Sequence, residues 1–151
     1  MTSYQSEGRR PPGSGRTPTP GGEPLFNPQK PLAELLDGLA EQQAEMMPEA
    51  RGRYALKSSQ LRRFFGDVKD LYRRLERGAD YETKILPMFK TLRSKASYAW
   101  RGGRDSKIPK EFHDFIDNGV RKVQTAEHFR AFVQHFEAVV GFLYGHGKVG
   151  K

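Results

Sequence analysis

Residues 56–75 read LKSSQLRRFFGDVKDLYRRL, and this stretch decides the fold. Leu61, Phe64, Phe65, Val68, Leu71, Tyr72 and Leu75 recur at i, i+3, i+4 and i+7 without a gap. That spacing puts seven large apolar side chains on one face of an α-helix. A half-buried strand would alternate apolar and polar residues, which this segment does not do. Ser58 or Ser59 is placed to cap the helix start, and Gly78 to stop it. A helix with so much apolar surface on one side has to bury it against other helices.

Reading outward supplies them. Pro31 suits a first helical turn. Leu32, Leu35, Leu36, Leu39 and Met46 then mark one face of a helix that Pro48 and Gly52 end. The polar side of that helix carries Glu34, Asp37, Glu41 and Glu45 and no basic residue. After the central stretch, Pro87 demands either a helix start near Leu86 or a kink in a helix begun at Asp80. Ile85, Phe89, Leu92, Ala96 and Ala99 line its inner face, and Gly102 and Gly103 end it. A fourth helix follows Pro109, with Phe112, Phe115, Ile116, Val120 and Val123 inward. Thr125 caps a fifth, whose apolar face is Phe129, Phe132, Val133, Phe136, Val140 and Leu143. No stretch sustains strand-like alternation, and no internal repeat occurs. The expected fold class is all-α: a compact bundle of about five helices over residues 31–147, with short connections.

Residues 1–30 read as a disordered Pro/Gly-rich tail. They hold six Pro and five Gly, with only Leu25 and Phe26 as apolar anchors. Such a composition does not repay the cost of ordering a backbone. Removal of the whole tail is therefore expected to leave the bundle untouched.

The positive charge is localised. Residues 51–107 hold 16 Lys/Arg and 6 Asp/Glu, whereas the rest of the chain holds 10 and 12. The whole excess of +8 thus sits in the middle third, the electrostatic footprint of a nucleic-acid binder. On the central helix Arg62, Lys69 and Arg73 fall on one narrow stripe beside the apolar face. Arg63 and Arg74 fall on another line, with Asp67 and Asp70 one turn away as i, i+4 partners. The stripe is the expected phosphate contact, and the paired arginines have a local explanation. A second candidate is Ser97-Tyr98-Ala99-Trp100-Arg101-Gly102-Gly103-Arg104. Arginines bind phosphate bidentately, and glycine lets backbone approach it closely. Tyr98 and Trp100 offer faces to a base, although packing in the core or an interface is the expected role of Trp100.

Catalysis has no comparable signature. The chain has no Cys, hence no disulfide, thiolate zinc site or cysteine nucleophile. Absence of Cys suits a reducing, cytoplasmic setting. No HExxH, GxSxG or GxxxxGK[ST] motif occurs. His128 and His135 lie two helical turns apart, roughly 10 Å, too far to share one metal ion. Neither an enzyme, a metal nor a cofactor is expected. No apolar run approaches the ~20 residues of a membrane span.

Three segments together carry a family resemblance. The first is Leu56-Lys57-Ser58-Ser59-Gln60-Leu61-Arg62-Arg63-Phe64-Phe65. The second runs from Leu92 through Tyr98-Ala99-Trp100-Arg101. The third is Phe129-Arg130-Ala131-Phe132 with Phe136-Glu137-Ala138-Val139-Val140 and Tyr144. Over roughly residues 53–145 this order resembles the small subunit of the type III-A CRISPR effector, the Csm complex. The resemblance implies an all-helical, non-catalytic subunit of a prokaryotic antiviral assembly. Several copies would stack as an inner filament along the guide RNA–target RNA duplex, held by the larger Cas backbone and large subunits. It implies RNA-backbone contacts at Arg62 and Arg101, with Lys57, Arg63 and Arg104 as motif neighbours. Trp100 falls in a variable slot, and the Pro/Gly-rich tail lies outside the family pattern. Two other classes compete. A free-standing helix-turn-helix DNA-binding protein needs base-reading side chains, and Asn and Gln are scarce near the stripe. A helical scaffold would instead set the basic face against an acidic protein partner.

Overall fold

The computed structural model describes residues 22–151; most of the tail, residues 1–21, lies outside the described residues. Six α-helices follow: α1 (Leu32–Leu35), α2 (Gly38–Glu45), α3 (Ser58–Glu76), α4 (Leu86–Trp100), α5 (Lys110–Lys122) and α6 (Ala126–Gly145). The first is a single turn, so five longer helices make the bundle, as the periodicity predicts. α4 packs along α5, α2 along α6, and α3 against both α4 and α6.

Phenylalanine fills the centre. Phe26, Phe89, Phe112, Phe115, Phe129, Phe132 and Phe136 are all fully buried. The Phe132 ring meets those of Phe26 (5.2 Å), Phe115 (5.6 Å), Phe89 (5.7 Å) and Phe136 (5.7 Å). Such aromatic pairs each add ~0.5–1.5 kcal/mol beyond the area they bury. Gly119 of α5 makes room for this cluster: a Cβ there would lie 2.6 Å from Phe132 Cζ.

The tail boundary is earlier than expected. Phe26 is 1% exposed and packs edge-on against Phe132. The Leu25 amide donates to Gln43 Oε1 (2.7 Å), and Asn118 donates to the Phe26 carbonyl (3.1 Å). One buried ring thus docks a segment whose composition reads as linker, because the core offers it a slot and the backbone finds polar partners.

The expected first helix is broken at Asp37 (φ −129°, ψ −99°). Of its leucines Leu35 is buried and Leu32 is exposed; Ala40, Ala44, Met46 and Met47 complete the inner face. A helix end leaves carbonyls without intrahelical partners. The buried His135 uses one, its Nδ1 lying 2.6 Å from the Leu35 oxygen. Lys57 precedes α3 with no side-chain cap, so neither Ser58 nor Ser59 caps it. Thr125 does cap α6, accepting from the His128 amide (3.0 Å). Before α4 the chain makes one π-helical turn, Tyr81–Ile85, started by Asp80, which accepts from Thr83 N (2.9 Å) and Oγ1 (2.8 Å). Pro87 then falls in the first turn of α4, where a missing N–H costs nothing. In α6 it is Val139, not Val140, that is fully buried. Two short strands were not foreseen: β1 (Leu56–Lys57) and β2 (Val149–Gly150) pair in parallel, Leu56 opposite Val149. Lys148 secures this closure by donating to the Met47 carbonyl (3.0 Å) and the Glu49 carboxylate (2.8 Å).

Candidate nucleic-acid interface

The central helix α3 buries Leu61, Phe64, Val68, Leu71 and Leu75, which leaves two polar flanks. One faces α6. There Lys69 reaches Glu137 (3.4 Å) and Glu76 accepts from Arg130 (3.0 Å). Lys69 is therefore not the unpaired cation its local sequence predicts. Its side chain is only 25% exposed and lies 5.8 Å from the Phe65 ring and 5.7 Å from that of Tyr72. The partner comes from another helix, 68 residues away, where i, i+4 reasoning does not reach. Arg62 and Arg73, on the same stripe, are exposed and form no ion pair among the described residues.

The other flank faces α4. Asp70 and Arg74 pair as expected (2.9 Å). Asp67 instead takes Lys95 of α4 (3.4 Å), so Arg63 loses its expected partner and is exposed and uncommitted. Exposed ion pairs contribute only ~0–1 kcal/mol each. Their importance here is that they decide which cations remain available for a ligand.

The segment after α4 is shaped by backbone conformation. Arg101 (φ 52°), Gly102 (φ 64°) and Gly103 (φ 95°) all have positive φ. Glycine adopts this readily, whereas Arg101 is there against its preference. Its guanidinium lies 4.6 Å over the Tyr98 ring, and its Nε donates to the Tyr98 carbonyl (3.2 Å). The chain then turns back, the Lys107 amide donating to the Ala99 carbonyl (2.7 Å). Trp100 is half-buried against His113, ring centroids 4.7 Å apart, consistent with a packing role.

This return builds two neighbouring depressions. A groove of about 290 Å³ lies between α3 and α4, with Gln60, Arg63, Tyr98 and Lys107 among its walls. A second cleft, of about 360 Å³, brings Arg104, Gly103 and Ser106 against Arg53 and Tyr54. Arg63 thus shares the groove with Tyr98, Arg101 covers the Tyr98 ring, and Arg104 lines the second cleft with Arg53. Arg62 lies about 100° away from Arg63 around α3. Lys57 is exposed at the start of α3. Sequence reasoning passed over Arg53, Tyr54, Lys95 and Lys107. All lie inside the basic window, but they join the site only through the fold.

The displaced protonation equilibria belong to structural groups. Burial depresses the pKa of His135, against the opposing pull of its bond to the Leu35 carbonyl. Burial pushes the Tyr81 phenol up to about 12. Asp117 is partly desolvated, yet hydrogen bonds from Arg93 and Arg121 hold its carboxyl below the usual range. Among the described residues Glu41, Glu45 and His146 bring three ligand atoms within 4.8 Å of one another, but Glu41 already binds His146 (2.8 Å) as a surface pair. No helix of the described residues is long and apolar enough to cross a membrane.

The family model described as Csm2 Type III-A matches residues 30–148, a span that contains all six helices, the groove and the cleft. No curated protein and no solved structure matches the chain. The family is generally a non-catalytic structural subunit. The chain belongs to the Csm2 family, the small subunit of type III-A CRISPR effector complexes.

Proposed function

We propose that this chain is a non-catalytic RNA-binding subunit that lies along the backbone of the guide RNA–target RNA duplex in a cytoplasmic antiviral complex. Guide–target pairing reads the sequence, and this protein reads charge and duplex shape. One observation carries the reading. Within the basic window Arg53, Arg62, Arg63, Arg73, Arg101 and Arg104 ion-pair with no carboxylate of the described residues. Guanidinium groups whose charge no carboxylate neutralises are what a polyanion recruits, with counterion release as the driving force. Several copies stack along the duplex, and the larger Cas subunits hold the assembly. The test is purification of the tagged protein from its native host. Guide RNA and larger Cas subunits should come with it; purification alone and free of RNA contradicts the proposal.

A further inference from the structure

We propose that the groove between α3 and α4 receives one unpaired nucleotide of a bound RNA strand, its base against Tyr98 and its phosphate on Arg63 and Lys107. This deepens the RNA-binding reading and rests on it. The volume, about 290 Å³, lies near the lower limit for small-ligand sites, which suits a single nucleotide. Phe64 and Ala99 give it an apolar floor. Tyr98 stands at its wall 68% exposed, the most exposed large hydrophobic side chain among the described residues. Arg101 fixes that ring from outside the groove lining, so the aromatic wall is held in place before any ligand arrives.

Charge selects the ligand further. Arg63, Lys95 and Lys107 line the groove with Asp67. Lys95 satisfies Asp67 at 3.4 Å, which leaves two cations for a phosphate. Gln60, also on the lining, supplies a donor and an acceptor for a base edge, and Ser94, whose hydroxyl donates to the Thr91 carbonyl (3.0 Å), a further acceptor. Stacking on an aromatic ring tolerates any base, because every base has a π-face. A paired base inside a duplex has both faces covered by its neighbours, so the groove discriminates in favour of an unpaired one.

The same chemistry can come from a free mononucleotide, and the experiment separates the two sources. The full chain, Tyr98→Ala and Tyr98→Phe are each titrated against three probes. These are a short single-stranded RNA containing one 2-aminopurine, the same RNA in a full duplex, and AMP. The exposure of Tyr98 lets both variants fold, which circular dichroism checks. Wild type and Tyr98→Phe should quench the 2-aminopurine on the single strand. Tyr98→Ala should lose that quenching and bind the strand roughly 5- to 150-fold more weakly, the range for one stacked base. Its salt slope should stay that of wild type, because Tyr98 neutralises no phosphate. RNA bound by Tyr98→Ala with wild-type affinity and quenching overturns the groove and leaves the RNA-binding reading standing. AMP bound through Tyr98 without any binding of RNA overturns both the RNA source and that reading. Binding of none of the three probes overturns both the groove and the RNA-binding reading.

Discussion

A single methyl group at Gly119 should destabilise the bundle, although the same change elsewhere in a helix stabilises it. Ala is preferred over Gly in a helix interior by ~1 kcal/mol. Gly66 of α3 and Gly141 of α6 have nothing within 4 Å of an added Cβ, so Gly66→Ala and Gly141→Ala should each gain about that much. At Gly119 the new Cβ would meet Phe132 at Cζ (2.6 Å) and Cδ1 (2.9 Å), with Cε1 closer still. The ring is enclosed by Phe26, Phe89, Phe115 and Phe136 and has no free side to move toward. Overpacking of this kind costs ~1–3 kcal/mol. Because the enclosed ring cannot retreat from so close a contact, the cost falls in the upper part of that range, ~2–3 kcal/mol, and after the propensity gain the net loss is about 1–2 kcal/mol. For a chain of this length that lowers the thermal midpoint by roughly 2–8 °C, whereas the two control variants should rise by ~2–4 °C. Melting curves followed by circular dichroism read all three. A Gly119→Ala midpoint that rises with the controls would refute the close approach of α5 to α6.

Two further perturbations test particular contacts. Phe26→Ala, or deletion of residues 1–30, removes a fully buried ring and should cost ~3–5 kcal/mol, or roughly 6–20 °C of thermal midpoint; an unchanged midpoint would mean that the segment is not docked. His135 is held neutral by burial, so on acidification the unfolded chain takes up its proton first, near pH 6.5. Stability is then complete above that pH and falls below it. His135→Gln should be less stable than wild type at pH 7.5, with the gap narrowing toward pH 5; a gap independent of pH would contradict the assignment.

The helices were legible because their apolar positions repeat over three or more turns. Phe112, Phe115, Ile116 and Val120 all face inward as the spacing predicts. Thr125 acts as the cap it resembles. What could not be read depends on contacts between distant segments. Phe26 is one ring in a linker-like sequence, and its slot exists only once α6 is in place. The pairing of β1 with β2 involves two residues on each side, too few for any period. Charge showed the same division. Asp70–Arg74 was visible as a local pair, while Lys69–Glu137 and Lys95–Asp67 link helices distant in sequence and so exchange which cations are free. Arg101 and Arg104 were found from chemistry alone, but the seating of Arg101 on Tyr98 beside Arg63, and of Arg104 in the cleft with Arg53, required the turn through Gly102 and Gly103.

The most direct test of RNA-backbone binding is the salt dependence of RNA affinity. For a binder of phosphates, log K falls linearly with log salt, and each lost contact reduces the slope by ~0.7–0.9. Wild type should show a steep slope. Arg62→Ala, Arg63→Ala, Arg73→Ala, Arg101→Ala and Arg104→Ala should each reduce it by about that amount. Lys69→Ala and Arg74→Ala, whose cations are engaged by Glu137 and Asp70, should change it less. A flat wild-type slope, or equal slopes for the free and the engaged cations, would contradict the account.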